Sequence, residues 1–172
     1  PGLHLHGFSQ AAIASIERLG ATLDPARLDA AVGLLAGADT IHLVGARRVF
    51  PVAAYLAYAF AKMGVRAALV DHVGEMGAEQ IAAARPGDVV LAVSFAPYTR
   101  STLDLAANAA AAGIPVVAIT DSAFSPLIGS ARAWLEVAEA DYGAFRSLAA
   151  TFALAMALAV SVGEKREGGQ GC

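Results

Sequence analysis

The sequence predicts an α/β protein: a three-layer, doubly wound sheet of about five parallel strands flanked by helices. Three observations lead there. Short aliphatic runs alternate with helix-length Ala-rich stretches. The runs are apolar almost throughout rather than at every second residue, as strands covered on both faces require. Gly and Pro punctuate the junctions, where strand must give way to crossover helix.

In chain order, two helical patterns, 8–19 and 25–36, precede the first strand, TIHLVG at 40–45. The stretch 51–64 opens with Pro51 at a first helical position and closes with Gly64 after Lys62, so it reads as a helix. Strand two is VRAALVD at 65–71, followed by a helix that stops at Pro86 and Gly87. Strand three is DVVLAVS at 88–94. The next helix, 101–113, starts with Ser101 and Asp104 in capping-box spacing and ends at Gly113. Strand four is IPVVAITD at 114–121, and AWLEVA at 133–138 supplies a fifth after a turn-rich segment. A long helix over 143–162 follows, and the polar, Gly-rich stretch 163–172 is expected to be a frayed, flexible tail.

Composition narrows the function classes. The chain has 172 residues, 57% hydrophobic and 16% charged, enough for one domain with a substantial core. With net charge −3 and no Lys/Arg-rich run, it lacks the basic face that gripping nucleic acid through phosphates demands. The single cysteine, Cys172, allows no disulfide or Cys-based metal framework, which suits a cytoplasmic location. The longest apolar run, 148–162, falls short of the ~20 residues that span a bilayer, so a buried or interface helix is expected and no membrane association. His4 and His6 lie in a stretch expected to be mobile, and Glu75 and Glu79 share a helix face that solvation explains; neither pair makes a metal site. No nucleophile elbow, Walker loop or dinucleotide fingerprint is present, and no cofactor and no catalytic residue is assigned.

Ligands of open α/β sheets sit at the carboxyl ends of the strands, beside helix N-termini. In the loop after strand one, Gly45 permits a tight turn, and Arg47 and Arg48 either attract an anion or are solvated or paired with acids such as Asp71. After strand three, SFAPYTRS offers hydroxyls at Ser94, Tyr98, Thr99 and Ser101. Thr99 and Ser101 have helix capping as their ordinary role, whereas Ser94 stands too early to cap. Pro97 removes a backbone donor, so backbone alone holds an anion there only weakly. Asp71 and His72 follow strand two, where Asp71 either contacts a sugar hydroxyl or merely caps. His42, inside an apolar strand, reads as a hydrogen-bonded core histidine.

Several stretches in order carry a family resemblance: IHLVGARRVFPVAAYLAYAF, GVRAALVDHVGEM, the run from RPGDVVLAVSF to SPLIGSA, and FRSLAATFALAMALAV. Over 38–162 the chain resembles a SIS (sugar isomerase) domain, in particular the effector domain of RpiR/MurR-type transcriptional regulators, with 1–37 as helices packing on it. The resemblance implies a five-stranded parallel sheet, homodimers or tetramers, phosphosugar binding at the strand ends, and DNA binding only through a separate upstream helix-turn-helix domain that this sequence does not contain. The same fold also serves sugar-phosphate isomerases, and a scaffold with a spent pocket is a further alternative.

The departures from the family pattern matter. Its first loop resembles Gly-x-Gly-x-Ser, where this chain has Arg47 and Val49 at the second glycine and the serine. Its second resembles Ser-x-Ser-Gly-x-Thr, where Ser94 and Thr99 remain but Ala96 and Pro97 replace the inner pair. A lost charge-assisted hydrogen bond costs roughly 1.5–3 kcal/mol. Arg47 and Arg48 are expected to compensate, since a guanidinium holds phosphate or carboxylate bidentately. The ligand-binding set expected is therefore Gly45, Arg47, Arg48, Asp71, His72, Ser94 and Thr99.

Overall fold

The computed structural model describes residues 2–169. Five strands, β1 (Ile41–Gly45), β2 (Ala67–Val70), β3 (Val89–Val93), β4 (Val116–Thr120) and β5 (Ala133–Glu136), form one parallel sheet in the order β2-β1-β3-β4-β5. Alternate residues of each strand enter opposite cores, which is why the runs are apolar throughout. Ile41, Leu43, Leu91, Ile119 and Leu135 pack beneath α2 (Pro25–Ala36), α3 (Phe50–Lys62) and α6 (Ala149–Gly169). Val44, Val70, Val90, Ala92 and Ala118 face α5 (Arg100–Ala111) and Ile81 of α4 (Gly77–Ala82). The expected doubly wound class is what is found.

The N-terminal helix α1 (Gly2–Thr22) lies against α6 and touches a small hairpin, β6 (Asp141–Tyr142) with β7 (Phe145–Arg146). Three expectations need correction. The stretch with His4 and His6 is helical, anchored where the ring of His4 meets Tyr142 edge-on. Residues 143–148 are not the first turns of the long helix: Gly143, with φ of 61°, turns the chain into the hairpin, so α6 starts at Ala149. The tail assigned to fraying from Gly163 is helical as far as Gly169, because Gly163 is buried against Met63 and the Arg166 guanidinium binds the carbonyls of Leu35 and Ala38. Residues 170–172 of that tail, Cys172 among them, lie outside the described residues. No helix among the described residues is long and apolar enough to cross a membrane.

Candidate functional site at the carboxyl ends of β1 and β3

β1 and β3 are neighbours in the sheet, but their connections leave in opposite directions, β1 toward β2 and β3 toward β4. Two diverging loops open a crevice at such a switch point. A cavity of about 190 Å³ lies there, lined by Ala46, Arg47, Arg48 and Val49 from the first loop and Ser94, Phe95, Pro97 and Thr99 from the second.

Each lining residue has a local reason for its place. Gly45 is buried, and a Cβ there would sit 3.2 Å from Val49 O and 3.3 Å from Ala53 Cβ. Its glycine serves the tight fit of strand on helix, beside the cavity rather than in its wall. Arg47 has φ of 56°, the left-handed region that glycine tolerates and other residues rarely adopt. An arginine therefore occupies a backbone position suited to glycine, with a side chain added at the cavity rim. Neither Arg47 nor Arg48 pairs with Asp71. Arg48 Nη2 instead donates to the carbonyl oxygen of Ala96 at 2.5 Å, tying the two loops together.

In the second loop, Ser94 is 2% exposed and its carbonyl accepts from Thr120 Oγ1 at 2.9 Å. Thr99 is the N-cap of α5 by backbone geometry, yet its side chain makes no cap hydrogen bond. The expected capping box is absent too: Asp104 takes the Arg100 guanidinium at 3.1 Å rather than the helix start. The Thr99 hydroxyl is thus left for the cavity. The Ala96–Pro97 peptide bond is cis.

Asp71 and His72 are not brought to this cavity. Asp71 accepts from Val73 N at 3.0 Å and Gln80 Nε2 at 2.9 Å, and these bonds hold its carboxyl below the usual range. It is the turn-closing aspartate, not a ligand contact. The imidazole of His72 packs against Gly77, whose missing Cβ would fall 2.4 Å from His72 Nδ1. Gly77 begins the helix that crowds His72 away from the switch point.

Sequence reading missed one group of residues altogether. Asp121, at the end of β4, accepts from Ala96 N at 3.0 Å and from the Tyr98 hydroxyl at 2.9 Å. Burial and the bond to Asp121 together push the Tyr98 phenol above its ordinary value. Arg146, from β7, reaches Asp121 Oδ2 at 3.4 Å and Ala96 O at 3.3 Å. The strand-end position of Asp121 was visible in the sequence; nothing local marks Arg146, which arrives from a hairpin read as helix.

Comparison with known proteins places this geometry. A family model described as SIS domain matches residues 34–161. Among solved structures, the sugar isomerase domain of an RpiR transcription factor from Sphaerobacter thermophilus superposes with a TM-score of 0.89 at 26% identity, covering 98% of this chain and 93% of that one. The Vibrio vulnificus NanR protein complexed with ManNAc-6P gives 0.78 at 24% identity over 94% of this chain, which spans 61% of NanR. The E. coli CFT073 protein c3406, in complex with arabinose 5-phosphate, gives 0.77 at 21% identity, covering 96% and 91%. The latter two likenesses are of fold. No curated protein sequence matches the chain.

Proposed function

Because the chain belongs to the SIS domain family, we propose that it is the effector-sensing domain of an RpiR/MurR-type regulator. Its effector would be a small anionic metabolite of the sugar-phosphate or sugar-acid class, bound in the cytoplasm. The bound state would be passed to a DNA-binding domain, and subunits would associate as a homodimer or larger. The observation carrying this reading is the pair Arg47 and Arg48 at the rim of a strand-end cavity that also holds Ser94 and Thr99. Two guanidiniums and two hydroxyls suit a phosphate or carboxylate group. The cavity takes an anionic head with a few carbons, and the remainder of the ligand lies over the open rim. The complexes of NanR with ManNAc-6P and of c3406 with arabinose 5-phosphate support phosphosugar as the class to try first.

The catalytic alternative has fold support, since a putative sugar-phosphate isomerase from Listeria monocytogenes shares the architecture at 19% identity. Isomerisation needs a base at a substrate C–H and an acid at its carbonyl. The cavity wall carries no carboxylate or imidazole among its lining residues. Glu139, one candidate base, is spent on Thr151, accepting from its N and its hydroxyl at 2.7 Å each.

The test is a thermal-shift panel of ManNAc-6P, arabinose 5-phosphate, other sugar phosphates, sugar acids and inorganic phosphate. A ligand at a hundredfold excess over Kd stabilises by about 2.7 kcal/mol, a rise of several degrees for a domain of this size. The rise is expected in the wild type and lost in Arg47→Ala and Arg48→Ala. No response across the panel leaves only the scaffold reading, and turnover of a pentose or hexose phosphate overturns the sensor reading.

A further inference from the structure

The carbonyl oxygen of Ala96 is held by two guanidinium groups at once. Arg48 Nη2, from the cavity wall, donates to it at 2.5 Å, and Arg146 Nη1, from the hairpin, at 3.3 Å. Arg146 also holds Asp121 Oδ2 at 3.4 Å and Asp141 Oδ1 at 2.8 Å. Asp121 in turn fixes Ala96 N and the Tyr98 hydroxyl. One charged knot therefore joins the cavity loop, the end of β4 and the β6–β7 hairpin. The Asp141 carboxyl is held below its ordinary range chiefly by the hydrogen bond from Arg146, and the charge of Arg48 adds to the effect.

The hairpin's other attachments run to α1. Phe8 meets Tyr142 edge-on at 4.8 Å and lies 6.5 Å from the ring of Phe145. Ala140 N donates to Ser15 Oγ at 2.8 Å, and Ser15 is buried. Tyr142 lies so close to the backbone of Gly7 that a Cβ there would come within 2.1 Å of its ring. The knot thus has the cavity at one end and the N-terminal helix at the other.

We propose that Arg146 is a positioning residue through which occupancy of the cavity is reported to the β6–β7 hairpin and α1, an inference that rests on the anion-binding reading above. An anion between Arg47 and Arg48 is a stronger acceptor for a guanidinium than a neutral carbonyl is. When Arg48 turns to it, Ala96 O keeps Arg146 as its guanidinium donor and Asp141 loses a nearby positive charge. Both changes redistribute Arg146 among Ala96, Asp121 and Asp141. The hairpin has two residues per strand. A ribbon that short has little stability of its own, so it follows the side chains that hold it. Tyr142 and the Ser15 contact then carry the shift into α1.

Hydrogen exchange on the full chain, with and without ManNAc-6P, arabinose 5-phosphate and inorganic phosphate, tests this, alongside binding measured by calorimetry. In the wild type, a probe that binds is expected to change exchange in α1 and across 140–148. Arg146→Gln is expected to bind that probe with little loss of affinity while the change in α1 disappears, and Arg146→Lys to restore part of it. Gly7→Ala leaves the cavity and the knot untouched but displaces Tyr142, and is also expected to lose the α1 response. Should Arg146→Gln fail to fold, Gly7→Ala decides. Wild-type binding without any change in α1, or a change that persists in Arg146→Gln or Gly7→Ala, overturns the inference alone. Absence of binding by every probe overturns the anion-binding reading and this inference with it.

Discussion

Asp88 accepts three hydrogen bonds: from Thr40 N at 3.1 Å, Arg85 N at 2.9 Å and His42 Nε2 at 3.0 Å. His42 is thus the satisfied core histidine its apolar strand suggested. Burial works to raise the Asp88 carboxyl, but the His42 and backbone bonds outweigh it, and the group is held below its usual 3.8. A depressed carboxyl contributes stability that is full above the unfolded value and lost as pH falls through the folded one. The urea midpoint is therefore expected to drop below about pH 4 in the wild type, and less steeply in Asp88→Asn. Asp88→Ala, which strands two backbone donors and the imidazole, is expected to cost about 3 kcal/mol by urea denaturation at neutral pH. At this scale Arg47, Arg48, Ser94 and Thr99 were legible because residues at strand ends before helices must meet at the crevice. Asp71 was misread because a turn-closing aspartate and a ligand contact look alike in one dimension.

Two glycines in helices separate local preference from packing. Gly20 in α1 has nothing within 4 Å of where its Cβ would be. Gly20→Ala is expected to raise stability by up to about 1 kcal/mol, since only the backbone entropy of glycine is removed. Gly163 in α6 has Met63 Cβ at 2.9 Å from the same point. Gly163→Ala is expected to destabilise by about 1–3 kcal/mol despite its better helix propensity, because α3 and α6 must separate. Thermal or urea unfolding of the two variants gives opposite signs if packing governs. The strands were readable one by one, for aliphatic runs of five residues between Gly and Pro have few other uses. The hairpin was not: Asp141 pairs with Arg146 and Tyr142 with Phe145, and two residues per strand leave no periodicity to detect.

Over the whole molecule, α6 settles much of what its all-round apolar surface posed. Leu154, Ala155, Leu158, Ala159 and Val162 are buried within the chain, where α1, α2 and α3 pack on α6. A partner subunit is not needed to cover those faces. The exposed apolar surface is concentrated instead on α1, with Leu3 75%, Leu5 71%, Ile13 48% and Ile16 46% exposed, and Met156 and Val160 on the adjoining α6. A stripe of that kind is costly in water, and self-association through it is the expected outcome. Light scattering at micromolar concentration should give a mass above the 17.4 kDa of one chain, and Leu5→Glu with Ile13→Glu should lower it. A monomeric wild type overturns the expectation.

The sequence by itself determined the class of fold, the order of its strands along the chain and the two loops from which a site is built. These follow from local rules: apolar runs covered on both faces, punctuation by Gly and Pro, and loops at strand ends. Tertiary structure alone decided which strands are neighbours, that Asp71 and His72 stand apart from the arginines, and that Arg146 joins the cavity loop from fifty residues away. A guanidinium finds its acceptors by position in space, and no spacing along the chain records it.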